Sequence, residues 1–291
     1  MTTGKDESQA ESLRTAFRMH PRKWRDFAYV YPVISRRAKG LSIVVNLNPD
    51  TACNFNCVYC CVDRTLPPQI RKVDLAVLRE ELRHLVKYRE ALFAEPEFCG
   101  VPEEYRRLND IAFSGDGEPT ASPMFPEAAR LAAQTREEFG LRDAKIVIIT
   151  DACFLTRPKV VETLAFLDAH HGETWAKLDA GTEDYFRRIT RPSHTLQHVL
   201  DNILATARVR PVVIQSLFMR LHGAPPTDDE IEAYVGRLRE LSDAGAQIRL
   251  VQTYTVARRT AEPYVAPLEA EELERIADRV RQAGLAVESY A

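Results

Sequence analysis

Four of the chain's six cysteines fall between positions 53 and 61, in the segment DTACNFNCVYCCVDR. Cys53, Cys57 and Cys60 are separated by three and then two residues. Thiols this crowded in a reducing compartment read as metal ligands more readily than as disulfides. A four-iron cluster ordinarily takes four thiolates. Three from one short loop leave one iron without a protein ligand, and an open position is what a metal needs to bind and activate a second molecule. A structural zinc ion would want a fourth ligand, but Cys61 is awkwardly adjacent and the next histidine is His84. A plain electron carrier would want four cysteines and a small fold. Cys61 reads as a bystander, and Cys99 and Cys153 are scattered.

Other polar groups fall at the ends of apolar runs. Ser114-Gly115-Asp116-Gly117-Glu118-Pro119 follows DIAFS, Thr150-Asp151 ends KIVIIT, Lys177 and Asp179 lie in TWAKLDA, and Gln215 is within PVVIQSLFM. Glycines let a backbone approach a ligand closely and take dihedrals other residues resist. His170-His171 and the pair His194 and His198 come with no carboxylate motif and make no convincing metal site.

The elements that position these groups are legible as an alternation of short β-branched runs with amphipathic helical patterns, the signature of βαβ units on a parallel sheet. Strands are expected at 41–48, 110–114, 145–150, 174–180, 211–219 and 247–255, with a last one in the tail LAVESY. Helices are expected at 73–93, 126–139, 158–170, from 184 and on to 209, 228–244 and 269–283, and residues 94–109 read as an inserted loop. Six units are too few for a closed eight-unit barrel. The expected fold is therefore an α/β partial (βα)6 barrel of parallel strands over residues 41–291. Right-handed crossovers then bring every strand's C-terminal end to one rim, where such folds keep their sites.

Residues 14–40 form a basic, aromatic N-terminal arm in this reading. Arg14, Arg18, Arg22, Lys23, Arg25, Arg36, Arg37 and Lys39 face one acid, Asp26, with Phe17, Trp24, Phe27, Tyr29 and Tyr31 interleaved. That composition suits a nucleic-acid surface. The favoured alternative has the aromatics packing on the barrel while the charges stay solvated. With 291 residues and a net charge of −3, the chain as a whole does not advertise a polyanion partner. No uninterrupted apolar run is long enough to cross a membrane. The polar start, MTTGKDESQAES, lacks the apolar core of a secretory signal, so a cytoplasmic chain with a disordered lead-in at 1–13 is expected.

The Cys-x3-Cys-x2-Cys loop after a first strand, with Tyr59 beside the last cysteine, resembles the radical S-adenosylmethionine (SAM) superfamily, and GDGEP resembles its glycine-rich "GGEP" element. The resemblance implies an oxygen-sensitive [4Fe–4S] cluster on Cys53, Cys57 and Cys60 whose free iron chelates SAM. An electron from a flavodoxin- or ferredoxin-type donor would then give a 5′-deoxyadenosyl radical. It also implies Tyr59 near adenine, and Gly115, Asp116, Gly117 and Glu118 toward the SAM ammonium. Thr150, Asp151, Lys177 and Asp179 would serve the carboxylate and ribose, with Asp179 and Gln215 able to reach substrate. VYPVISRRAKGLSIVVNLNPDTACNFNCVYC with FSGDGEPT looks most like the branch of wyosine tRNA-base synthases and their stand-alone bacterial relatives. Those synthases use a second cluster, which Cys61, Cys99 and Cys153 do not supply, so a single-cluster enzyme is implied. Its substrate would be a nucleoside or tRNA base, or alternatively a small metabolite or a protein glycine. The reading from another class is a non-catalytic iron–sulfur electron-transfer or sensor protein.

Overall fold

The computed structural model describes residues 13, 15–17, 22–65, 67–68 and 70–291. Residues 1–12 of the expected lead-in, with Arg14 and Arg18 of the arm, lie outside them. The main sheet has eight strands: β1 (Val30–Ser35), β2 (Gly40–Val45), β3 (Leu108–Phe113), β4 (Lys145–Thr150), β5 (Gly172–Lys177), β6 (Val212–Leu217), β8 (Ile248–Tyr254) and β10 (Val287–Tyr290), in that spatial order. Two short strands, β7 (Met219–Leu221) and β9 (Val265–Pro267), pair antiparallel in a separate ribbon. Only β1 runs against its neighbour in the main sheet; β2 to β10 are parallel.

Each parallel strand but the last feeds a helix: α1 (Leu75–Tyr88) after β2, α2 (Phe125–Glu138) after β3, α3 (Pro158–Asp168) after β4, α4 (Glu183–Thr190) and α5 (Leu196–Ala207) after β5, α6 (Asp228–Asp243) after β6, and α7 (Ala270–Gln282) after β8. These are the six expected units, arranged as the expected α/β partial barrel. The helices start where the sequence supplies caps. Asp74 accepts from the Ala76 and Val77 amides, and Thr182, Thr195 and Thr227 cap α4, α5 and α6 in the same way.

The strands are buried on both faces, as parallel strands under helices must be. Ile43, Ile111, Ile146, Ile214 and Val251 belong to the main core under the helices. Alternating with them, Ala112, Val147, Trp175 and Val213 form a separate apolar cluster, joined by Ile149 and Leu250. By the two-residue period of a strand that cluster lines the inner, concave face. Two residues further along the same face come Lys177, Gln215 and Gln252, aligned across β5, β6 and β8. The barrel therefore has an apolar floor and a polar level above it.

Some boundaries differ from the sequence reading. Strand β1 lies inside the segment read as an arm. The run PVVIQSLFM divides at Phe218, whose amide donates to the Tyr254 carbonyl at 2.8 Å, and Met219 begins the ribbon instead. The first helix stops at Tyr88 and is followed by a short 3-10 turn at Ala91–Ala94. The arm's aromatics do pack: Trp24, Tyr29 and Tyr31 are buried. The Glu81 carboxylate on α1 accepts the amides of Ala28, Tyr29 and Val30.

The edge strands β1 and β10 do not pair. Side chains close the seam instead: Lys39 meets Glu288 at 2.8 Å, and Arg36 donates to the Ala291 carbonyl at 2.7 Å.

Candidate active site

The cysteine loop leaves β2 through Asn46 and Asn48 and is anchored by main-chain bonds on two sides. The Asn56 and Val58 amides donate to the carbonyls of Thr190 and Ile189 at the end of α4, and the Ser193 amide donates to Asn54. From the other side, Ala261 and Glu262 donate to Cys60 and Val58. Within the loop, the Cys60 amide closes a turn onto the Cys57 carbonyl at 3.0 Å, and the Cys60 sulfur accepts from the Val62 amide at 3.4 Å.

Cys53 is exposed, and Cys57 and Cys60 are half-buried. Although part of Cys53 faces solvent, desolvation by the surrounding chain pushes its thiol up to about 11, and that of Cys57 higher still. Such thiols stay protonated until a metal displaces the proton. Among the described residues, no three His, Cys, Asp or Glu side chains gather closely enough to hold one metal ion. Three thiols carried by one loop are a donor set that suits a polynuclear cluster, in which each thiolate takes its own iron. The amide donated to the Cys60 sulfur is the kind of contact that stabilises a ligating thiolate.

The GDGEP turn is seated directly on this loop. The Glu118 amide donates to the Ala52 carbonyl at 3.3 Å, and a β-carbon on Gly117 would come within 1.9 Å of that oxygen. Gly115 has φ +136°, a conformation that favours glycine. Asp116 is held by Asn46, whose Nδ2 donates at 2.7 Å, and pairs with Arg22 at 2.6 Å.

Glu118 is 2% exposed, and the chain's own donors surround it. Its Oε1 accepts from the Thr120 amide and hydroxyl and from the Thr150 hydroxyl, and its Oε2 from the Asp151 amide. It thereby fastens the β3 turn to the end of β4. Burial, then the neighbouring Asp151 charge, raises its carboxyl to about 8. Asn54 completes the link by donating to both Asp151 carboxylate oxygens, at 2.9 and 3.2 Å. Thr150, Asp151 and the GDGEP turn are therefore one hydrogen-bonded unit with the cysteine loop.

A second unit gathers at the ends of β5 and β8. The Tyr59 hydroxyl donates to Asp179 Oδ2, while Asp179 Oδ1 accepts the Leu217 amide at 2.8 Å and pairs with Lys177 at 3.1 Å. Lys177 also donates to the Tyr254 hydroxyl at 2.7 Å and lies over the rings of Tyr59 and Tyr254. Burial disfavours the Lys177 charge, but Asp179 and Tyr254 more than offset it, so its pKa is held above the usual lysine range. Gln215 donates from Nε2 to Gln252 at 2.9 Å, while its Oε1 is buried without a hydrogen-bond partner among the described residues.

Among the described residues the histidines stay outside the site. His170 stacks on Phe166, and His198 stacks on His194 while bonding the Cys153 carbonyl. Asn46, Asn54, Gln252 and Tyr254 were not singled out in the sequence. For Gln252 and Tyr254 the usable signal was their two-residue spacing in β8.

The sequence pattern of the radical SAM superfamily matches residues 47–238. A UPF0026 protein of Methanocaldococcus jannaschii is 30% identical over 178 residues, which is 60% of this chain and 46% of that protein. The chain spans less than two thirds of the length of the curated relatives it matches. Streptococcus suis SuiB bound to S-adenosylmethionine superposes with a TM-score of 0.57 at 14% identity, over 87% of this chain and 51% of SuiB. TYW1 with a lysine-pyruvate adduct bound superposes with a TM-score of 0.52 at 16% identity, over 93% of this chain and 80% of TYW1. At such identities the likeness is one of fold. Among the described residues no helix is long and apolar enough to cross a membrane. Because the family pattern begins just beyond β2 and runs into α6, spanning most of the barrel, the chain belongs to the radical SAM superfamily, a family that implies a [4Fe–4S] cluster and S-adenosylmethionine.

Proposed function

We propose that Cys53, Cys57 and Cys60 hold a single [4Fe–4S] cluster and that the polar groups on the neighbouring strand ends bind SAM beside it. The observation that carries this reading is the seating of the GDGEP turn on the cysteine loop, with Gly117 against Ala52. When bound and reduced by a flavodoxin- or ferredoxin-type donor, these cofactors supply a 5′-deoxyadenosyl radical that takes hydrogen from the substrate.

The protein's part is placement. Glu118, Thr150, Asp151 and Asn54 hold the turn and the cysteine loop in one register, leaving the backbone around Gly115 and Gly117 to approach the SAM ammonium. Lys177 keeps its charge and suits the SAM carboxylate. Tyr59, oriented through its hydroxyl on Asp179, offers a ring to adenine, and Asp179 suits a ribose hydroxyl. Gln215, with a buried oxygen in need of a donor, faces the substrate side of the lumen. The substrate class favoured is a nucleoside or tRNA base, with a small metabolite or protein glycine as the second reading, in a cytoplasmic enzyme.

The test is anaerobic reconstitution with iron and sulfide, dithionite reduction and chromatography of the SAM products. The expected product is 5′-deoxyadenosine, lost together with iron in Cys53→Ala, Cys57→Ala and Cys60→Ala. Methylthioadenosine in its place would mean that a different carbon–sulfur bond breaks. Full iron content and turnover in any of the three variants would remove the basis of the ligand assignment.

A further inference from the structure

Beside Tyr59 and Tyr254, the lumen continues into a chamber of about 90 Å³ whose walls include Arg36, Arg37, Cys61 and Arg258. A larger cavity of about 840 Å³, lined in part by Arg36 and Ala291, shares Arg36 and Arg258 with the chamber. The smaller space is of the order of a few water molecules, and the larger one is in the range of small-molecule sites.

Among the described residues neither Arg37 nor Arg258 has a carboxylate partner. Arg37 lies over the Tyr254 ring at 4.5 Å, and Arg258 Nη1 is buried without a hydrogen-bond partner. Arg36 donates only to the carbonyls of Thr255 and Ala291. Of the acids near these guanidiniums, Asp116 is committed to Arg22 and Asn46, and Asp110 feels the Arg37 charge without forming an ion pair with it. Burial, and then the proximity of Arg37 and Arg258, depresses Arg36 to about 10.

Half-buried arginines left without an ion pair are costly unless something negative joins them. One guanidinium satisfies a carboxylate through two parallel bonds. Three about one small chamber supply more charge and more donors than a carboxylate can use, whereas a phosphate has both the charge and the oxygens. We infer that this chamber is an anion subsite in which Arg36, Arg37 and Arg258 grip a phosphate group of the substrate, holding the rest of that molecule at the Tyr59–Gln215 level of the lumen. The assignment of the phosphate to the substrate rests on the proposed radical SAM reading; the subsite itself does not. The phosphate could belong to a small phosphate ester or to a nucleic-acid backbone.

The experiment measures binding of inorganic phosphate to the purified protein by calorimetry, with acetate at equal ionic strength as control. Wild type is expected to bind phosphate saturably and acetate far more weakly. Arg258→Gln and Arg37→Gln should each weaken phosphate by about tenfold, and Arg258→Lys should recover part of the loss. Arg37, half-buried over a tyrosine ring, serves as the second site should Arg258→Gln fail to fold. Ribose 5-phosphate displacing inorganic phosphate, with bulk tRNA inert, assigns a small ester. Binding of tRNA whose logarithmic salt slope falls by about 1 per arginine removed assigns a nucleic acid. Equal phosphate affinity in wild type and both glutamine variants, or acetate binding as well as phosphate, overturns the subsite. Production of 5′-deoxyadenosine by the wild type judges the radical reading separately.

Discussion

Gly117 and Ala52 lie so close that no side chain fits between the β3 turn and the cysteine loop: a β-carbon at 117 would stand 1.9 Å from the Ala52 carbonyl oxygen. Because that oxygen is backbone, the clash cannot be relieved by a rotamer change. Gly117→Ala should therefore push the cysteine loop away and lower iron per chain after reconstitution at least several-fold, with far-UV circular dichroism unchanged. Full iron loading in this variant would show that the contact does not set the loop.

Removing the Tyr59 hydroxyl takes away one of three donors to Asp179, while Lys177 and the Leu217 amide remain. A buried acceptor losing one such donor costs about 1–3 kcal/mol. Tyr59→Phe should lower the melting temperature by several degrees but keep most SAM affinity, since its ring is intact. Tyr59→Ala should lose both. Equal SAM affinity in Tyr59→Ala and wild type, measured by equilibrium dialysis, would remove the ring from the adenine site.

Glu118→Ala would strip an acceptor from the Thr120 and Asp151 amides and from two threonine hydroxyls. With several buried donors orphaned, a loss of about 3 kcal/mol or more is expected. Denaturant titration reads it directly. A cost below about 1 kcal/mol would mean that water replaces the carboxylate, contrary to its burial.

Asp110 gives the chain a pH dependence remote from the cysteines. Burial raises its carboxyl to about 7, and Oδ1 has no hydrogen-bond partner among the described residues. The folded value lies above the unfolded one, which is near 4. Its stabilising contribution is therefore full below about pH 4 and is lost as pH rises through about 7. Asp110→Asn should remove that decline, so the variant's melting temperature changes less than wild type's between about pH 5 and pH 8. Parallel pH profiles would show that Asp110 ionises freely in the folded chain.

The features legible in the sequence were those written in consecutive residues. Cys53, Cys57, Cys60 and the GDGEP turn announce themselves because one loop carries all the relevant atoms, and the six βα units follow from strand and helix periodicity. Pairings set by the fold were out of reach: Gln215 with Gln252 by strand register, Asn54 with Asp151 and Arg37 over Tyr254 through loops, each joining residues separated by long stretches of chain. Strand β1 was hidden for another reason. Its Pro32 lacks an amide proton, which demotes a strand in the sequence but is tolerated on an edge, and an edge is where β1 lies. Glu118 was legible as a site residue, yet its crowd of internal donors gives it a structural task that the motif alone does not reveal.

The seam between β1 and β10 gives this barrel a mechanical property that a closed one lacks. Joining the two edges are the Lys39–Glu288 pair and the Arg36 contact with Ala291, not a ladder of amides. Parting an exposed ion pair costs about 1 kcal/mol or less, and salt weakens it. Parting these two edges would therefore break side-chain contacts and leave every strand in its register.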